Sequence, residues 1–327
     1  MTSDADREPA VVLDRVVKRY GNTRALDGLS LDVKRGEMFG LIGPDGAGKT
    51  TAIRLMCGLL HPDSGELRVL GLNPVRSHRA LTERVGYLSQ RFSLYGDLTI
   101  DENIAFFAEV HGVRDYGARR DQLLSMTQLT AFRTRLADRL SGGMKQKLAL
   151  ACTLVHEPDL ILLDEPTTGV DPVSRREFWK LLSEFLANGI TILMSTPYLD
   201  EAERCTRVAL VHEGRLLAAD EPARLRQLIP GRMLEILAHG TAAAESLRAL
   251  PCVHDAQIFG ERIHITLDDD SLACEERFRA ALRATSLADA QVRSVQPSLE
   301  DVFIARISGP PPPPNGFGET RKENVRA

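Results

Sequence analysis

The most specific chemistry in the chain lies in Gly43-Pro44-Asp45-Gly46-Ala47-Gly48-Lys49-Thr50, extended by Thr51. The spacing is that of a phosphate-binding loop, in which glycines let successive backbone N–H groups turn inward around phosphate oxygens. Lys49 reaches the outer phosphates, and the Thr50 hydroxyl is a ligand for Mg²⁺. A helix starting near Lys49 adds its positive end, and the ligand this implies is ATP. A second element is the apolar run Leu160 to Leu163 followed by Asp164-Glu165. At the C-terminal edge of a sheet beside the loop, Asp164 can hold Mg²⁺ through water and Glu165 can polarise the attacking water. Two acids at a strand end are often no more than solvated groups. With a phosphate loop upstream they read as a hydrolytic site. The third element is Leu140-Ser141-Gly142-Gly143-Met144, ahead of an amphipathic helix. Ser141 can cap that helix, and the bare glycine amides with the helix dipole make an anion site. An ordinary cap followed by flexible glycines fits the same five residues.

These residues need a framework. Met38 to Ile42 reads as a buried strand, and a helix follows from Lys49 to about Leu60 with Ile53, Met56, Cys57 and Leu60 on its buried face. Val11 to Arg35 is β-rich around a turn at Tyr20-Gly21-Asn22. Residues 92–156 read as mainly helical, with Thr99 as a cap and an apolar face at Ile100, Ile104, Phe107 and Ala108. Short apolar strands return at 160–163, 190–194 and 207–211, the alternation expected of a largely parallel sheet covered on both faces. The fold class is α/β: a P-loop NTPase core with an antiparallel β subdomain and a helical insertion. After residue 230 a βαββαβ pattern suggests a small ferredoxin-like α+β domain over 230–307. Residues 1–9 read as a disordered head. Five prolines at 310–314 make 308–327 a proline-rich disordered tail, a stiff linker that could also dock an aromatic groove.

Composition limits the function classes. Lys plus Arg number 41 and Asp plus Glu 45, a formal charge of −4, with 43% apolar and 26% charged residues. A mildly acidic chain is a poor candidate for nucleic acid, where affinity comes from neutralising phosphates. No apolar run approaches the roughly 20 residues that span a bilayer, and the N-terminus lacks a signal-like stretch. The five cysteines, Cys57, Cys152, Cys205, Cys252 and Cys274, form no CxxC pair and fit a reducing cytoplasm.

The motif order carries a resemblance. The P-loop, then Gln90 after VGYLSQ, then LSGGMKQK, LILLDEP and GVDP at 169–172, is similar to the ATPase domains of ABC transporters across 11–220. GPDGAGKTT, QRFSLYGDLT, LSGGMKQKLALACTL, STPYLDEAERC and the terminal PSLEDVFIAR resemble the ATP-binding subunits of type-two, drug- and antibiotic-export transporters. The domain would run from 10 to 229, followed by a regulatory or dimerisation domain. The resemblance implies a motor subunit that hydrolyses ATP for a separate transmembrane permease, at the inner face of the cell membrane. It implies that Tyr20 stacks on adenine and that Gln90 ligates Mg²⁺ and reports nucleotide state to the permease. It implies that Ser141, Gly142 and Gly143 bind the γ-phosphate held by an opposite subunit, and that Asp171 communicates across a homodimer or heterodimer. Residues from Phe92 to Asp97 would form the permease docking groove, unless Phe92, Leu94 and Tyr95 are local core.

One departure bears on catalysis. The family usually has histidine where this chain has Pro197, and that histidine contacts the γ-phosphate and the attacking water. Proline has no side-chain donor and no N–H. The chain resembles, at this point, the partly degenerate first halves of tandem ATP-binding subunits. Two other readings stand beside the motor: a regulatory ATP-binding module that barely hydrolyses, and a non-transport ABC ATPase. The second would show long heptad insertions or two ATP domains joined by a charged linker, and neither is in the sequence.

Overall fold

A computed structural model describes residues 8–90 and 93–308 of the 327. The expectations for residues 1–7, for Phe92 and for the tail beyond 308 lie outside the described residues. The chain divides into two compact units, between Glu221 and Pro222.

In the first unit, β1 (Val11–Tyr20) and β2 (Thr23–Val33) pair antiparallel through the turn at Gly21. Strand β3 (Met38–Ile42) runs into the glycine loop and α1 (Lys49–Met56). Helix α1 ends four residues before the expected Leu60. The cause is Gly58, held at φ +71 where a Cβ would meet the Pro74 carbonyl, a left-handed stop that favours glycine. Strand β4 (Ser64–Val69) pairs with β1 and completes a three-stranded antiparallel sheet in the order β2-β1-β4. Helix α2 (His78–Thr82) and β5 (Val85–Leu88) follow.

The helical insertion comprises α3 (Ile100–Val110), α4 (Gly117–Met126) and α5 (Gly142–Leu154). Thr99 and Glu102 form a capping box at the start of α3, satisfying two otherwise orphaned N–H groups. The chain then re-enters the core as β6 (Leu160–Asp164), α6 (Pro172–Ala187), β7 (Thr191–Thr196), α7 (Leu199–Ala202), β8 (Arg207–His212) and β9 (Arg215–Asp220). The main sheet has the order β5-β6-β7-β3-β8-β9; all its pairs are parallel except β8 with β9. Strands β3, β6 and β7 are buried at every residue. That burial explains why they read as continuous apolar runs rather than alternating ones. The order puts β6 and β3 on either side of β7, so the acids that end β6 and the loop that follows β3 open at one edge.

The second unit starts with α8 (Pro222–Arg226) and continues β10 (Met233–Leu237), α9 (Thr241–Arg248), β11 (Val253–Phe259), β12 (Arg262–Leu267), α10 (Leu272–Leu282), β13 (Val292–Val295) and α11 (Leu299–Ser308). Its sheet has the order β11-β12-β10-β13, antiparallel throughout. Counted from β10 this is the split βαββαβ arrangement expected from the sequence. The unit begins at Pro222 rather than at 230 because α8 packs against α11. One face of the sheet forms a core with α9 and α10, through Leu234, Ile236, Ile263, Ile265, Leu247 and Phe278.

Candidate functional site

The loop after β3 is shaped by glycines that no other residue could replace. A Cβ on Gly43 would overlap the Val211 carbonyl, and one on Gly48, at φ +99, would overlap the Ala25 carbonyl. Gly46 sits at φ +80, a region L side chains disfavour. Helix α1 has no side-chain cap at Gly48, so the backbone N–H groups of its first turn lack a partner within the helix. Lys49 Nζ donates to Gly43 O at 2.8 Å and to Pro44 O at 3.1 Å, and lies 3.1 Å from Glu165 Oε1.

Beneath the loop lies the end of β6. Thr50 Oγ1 donates to Asp164 Oδ1 at 3.0 Å, and Ser195 Oγ donates to the same oxygen at 2.7 Å. Ser195 Oγ also accepts from the Glu165 N–H at 3.0 Å. Glu165 is held at φ +48, an uncommon conformation for a non-glycine residue that concentrates at functional sites. Gln90 Nε2 donates to Glu165 Oε2 at 3.1 Å.

Lys49, Thr50, Gln90 and Glu165 share a cleft of 570 Å³. Asp45, Gly46, Ala47, Gly48, Lys49, Thr50 and Thr51 line it, together with Gln90, Glu165 and Pro197. Tyr20 stands on its rim, 47% exposed. The structure therefore brings together in one place the loop, Glu165, Gln90, Tyr20 and Pro197, with Asp164 joined to them through Thr50.

Of the expected site residues, Gly43, Pro44 and Asp164 do not themselves line the cleft, and four more stand apart from it. Ser141, Gly142, Gly143 and Asp171 do not line the cleft. Ser141 caps α5 by accepting from Met144 N, and Asp171 caps α6 by accepting from Val173 N and Ser174 N, each at 3.0 Å. Hydrogen bonding from Ser174 holds the Asp171 carboxyl below the usual carboxylate range. Ser141, Gly142 and Asp171 are exposed. Gly143 lies against α6 so closely that a Cβ would overlap Ser174 Oγ.

The ABC transporter family model matches residues 26–168. The chain is 40% identical over 309 residues, 92% of its length, to the Escherichia coli protein named "Probable multidrug ABC transporter ATP-binding protein YbhF", and covers 53% of that protein. It is 37% identical to the Nod factor export ATP-binding protein I of Paraburkholderia xenovorans, over 92% of this chain and 98% of that one. The chain belongs to the ATP-binding proteins of ABC transporters. It spans about half the length of the Escherichia coli relative. A solved ATP-binding subunit of an ABC transporter matches this ATP-binding protein with a TM-score of 0.62 at 30% identity, covering 67% of this chain and 92% of the other. A dimeric cassette in a post-hydrolysis state with ADP and Pi matches with a TM-score of 0.57 at 26% identity, covering 64% and 98%. The family is one of ATPases, and the fold of this member is theirs.

The structure adds residues to the cleft of this ATP-binding protein that motif reading missed. Thr23, Arg24, Ala25, Thr168 and Tyr198 also line it. Thr23 to Ala25 begin β2, in the antiparallel subdomain, and only the three-dimensional packing of that hairpin over the loop brings them in. Ser195 was within reach of sequence reading. It opens the quoted phrase STPYLDEAERC at the end of β7, and a polar residue there, on a strand parallel to β6, must face the acids that end β6.

Proposed function

We propose that the chain is the ATP-binding and ATP-hydrolysing motor subunit of an exporter whose permease is a separate membrane protein. The observation that carries this reading is the convergence of Lys49, Thr50, Glu165 and Gln90 in one cleft, with Asp164 held to Thr50 by a hydrogen bond, built on a loop with no side-chain cap. The residues fit a nucleotide. Unpartnered first-turn amides and an ammonium suit phosphate oxygens, and adjacent hydroxyl, carboxylate and amide oxygens suit a hard cation such as Mg²⁺. Thr50, Gln90 and, through water, Asp164 would hold the metal, which would supply positive charge to offset that of the phosphates. Tyr20, at the rim, offers a flat face for adenine.

Lys49 leaves Glu165 for the outer phosphates when ATP enters, since the ammonium exchanges one anion for a more highly charged one. Glu165, released, accepts a hydrogen bond from the attacking water, while Ser195 fixes both its backbone N–H and the Asp164 carboxylate. Ser141, Gly142, Gly143 and Asp171, outside the lining of this cleft and exposed except Gly143, serve the nucleotide of an opposite subunit. A nucleotide sandwich of two subunits follows, as a homodimer or as a heterodimer with another ATP-binding subunit.

Among the described residues no helix is long and apolar enough to cross a membrane. On the motor reading, the chain acts through its permease partner, at the cytoplasmic face of the membrane. Tyr95, 46% exposed and edge-on to Phe106 at 4.5 Å, marks the docking region. The exported compound is of the drug or Nod factor kind that the relatives' names give for those proteins. The second unit, 222–308, serves regulation or dimerisation.

Equilibrium binding of labelled ATP with and without Mg²⁺, followed by phosphate release from the same preparation, tests the motor reading. Binding without measurable release would favour a regulatory subunit, and no binding would remove the proposal.

A further inference from the structure

The segment that follows Pro197 is tied to the first turn of α6 by contacts that the motifs do not account for. The Arg175 guanidinium lies over the Tyr198 ring, 5.0 Å from its centroid. Arg175 Nε is 3.7 Å from Glu201 Oε1, and an Arg175 terminal nitrogen is 3.9 Å from Asp200. Asp200 is mostly exposed, but the Glu201 side chain is 1% exposed. At 3.7 Å the two charges attract without hydrogen bonding. Neither Glu201 carboxyl oxygen nor Arg175 Nε has a hydrogen-bond partner among the described residues. Orphaned, buried, opposite charges facing each other are costly, and the cost is relieved by closing the gap by less than about 1 Å to a charge-assisted hydrogen bond.

Arg175 stands where two sites meet. Its neighbour Ser174 packs on Gly143, next to the exposed Ser141 loop, and is held by the Asp171 cap. Tyr198, under the guanidinium, lines the nucleotide cleft beside Pro197. One rigid first turn of α6 thus touches both the loop offered to an opposite subunit and the wall of the chain's own cleft.

We propose that Arg175 is a positioning residue: it couples the Pro197–Tyr198 wall of the cleft to the Ser141–Gly143 loop through a contact with Glu201 that tightens when MgATP fills the cleft. The proposal rests on the ATP-binding reading of that cleft. Tightening draws α7 onto α6, carries Tyr198 with the guanidinium, and passes the displacement through Ser174 to Gly143, which has no room to yield otherwise.

The chain carries its own reporter. Its single tryptophan, Trp179, lies one turn beyond Arg175 on α6, 3% exposed, with an unpartnered indole N–H. The Arg204 guanidinium, just beyond α7, lies 5.6 Å from its ring centroid. Closure of α7 on α6 must change that environment. Trp179 emission of the full chain is therefore recorded while MgATP is titrated, with labelled ATP binding measured in parallel. In the wild type the emission changes with the same midpoint as binding. The double variant Arg175→Ala/Glu201→Gln removes both charges and leaves none buried alone. It keeps ATP affinity within about threefold while losing at least half of the emission change. A merely structural arginine would lower stability but leave that amplitude intact. Tyr198→Leu, which removes neither charge, also loses amplitude and serves if the double variant does not fold. A double variant or Tyr198→Leu with full amplitude overturns the inference, as does wild-type protein that binds ATP with silent Trp179. Absence of ATP binding to the wild type overturns instead the reading of the cleft.

Discussion

Lys49 and Glu165 meet at 3.1 Å in the floor of the cleft, with side chains 3% and 8% exposed. On the proposed mechanism, the lysine assigned to the phosphates thus neutralises, before nucleotide arrives, the carboxylate assigned to the attacking water. Breaking a buried pair from one side costs about 3–5 kcal/mol because the other charge stays buried. Lys49→Ala should therefore lose stability as well as ATP affinity. Adding Glu165→Gln should recover most of the melting temperature and none of the affinity. Thermal unfolding and ATP binding on the four proteins of this cycle separate the two roles, and a double variant as unstable as Lys49→Ala would show that the pair is not what the alanine disturbs.

The contact of Gly143 with Ser174 gives a second prediction. Gly143→Ala places a methyl against Ser174 Oγ and must displace it or the Asp171 cap. The exposed Ser141 loop would then be misplaced while the cleft stays intact. ATP-dependent dimerisation, trapped in a Glu165→Gln background, should fall by tenfold or more on the order expected for losing a charge-assisted contact. Ser174→Gly in the same chain should restore it by making room. Gel filtration with and without MgATP reads both, and failure of the second change to rescue would place the defect elsewhere.

How far these elements could be read from sequence varied with the physics behind them. The P-loop was legible residue by residue because phosphate binding leaves few choices, and β3 and β6 because strands buried on both faces must be apolar throughout. The end of α1 was misplaced because Leu60 keeps the helical period while Gly58 takes a left-handed turn. The Arg175–Glu201 and Lys49–Glu165 relationships were invisible. They join positions that only the parallel order β6-β7-β3 makes neighbours.

His264 makes the second unit pH-sensitive. Its Nδ1 is 2.7 Å from Asp301 Oδ1 and its Nε2 is 3.4 Å from Glu235, whose carboxylate is also held by Arg262 and Arg293. The hydrogen bond with Asp301 raises the imidazole above its usual 6.5. Burial works to raise the Asp301 carboxyl, but hydrogen bonds from His264 and Ser298 outweigh it and hold it below 3.8. A group whose folded value is raised stabilises fully below its unfolded value and loses that contribution as pH rises through the folded one; a lowered acid loses its contribution as pH falls. The pair is therefore strongest between 3.8 and 6.5. Wild type should exceed His264→Gln in thermal stability at pH 6, and the gap should narrow as pH rises through the raised imidazole value and the ring loses its charge. A gap that is constant, or that widens with pH, would contradict the charged pairing.

Pro197 gives the last prediction. It lines the cleft beside Gln90, Glu165 and Lys49, at the position where the family resemblance in the sequence implies a histidine. Its turn is set by Thr196, whose Oγ1 accepts from Tyr198 N at 3.1 Å, and nothing in that hydrogen bond depends on the proline ring. Pro197→His should therefore fold with the same turn and add a donor where charge develops on the phosphate. One preorganised donor of this kind is worth on the order of 10²–10³ in rate. Side-chain freedom in a half-open cleft reduces that, so a rise of about tenfold or more in ATP turnover at saturating MgATP is expected. Adding Glu165→Gln should abolish the gain, because the histidine assists a step that Glu165 enables. The same reasoning separates the two dimers. In a homodimer both clefts lack the donor. In a heterodimer with a histidine-bearing subunit, the partner's cleft keeps its own donor and borrows this chain's Ser141 loop, so one site stays fast. Mixing this chain with such a subunit should then give more activity than this chain alone, and Pro197→His should close most of the difference. A well-folded Pro197→His protein with unchanged turnover would mean that the missing donor does not limit the rate, and would remove the reason to expect an asymmetric partner.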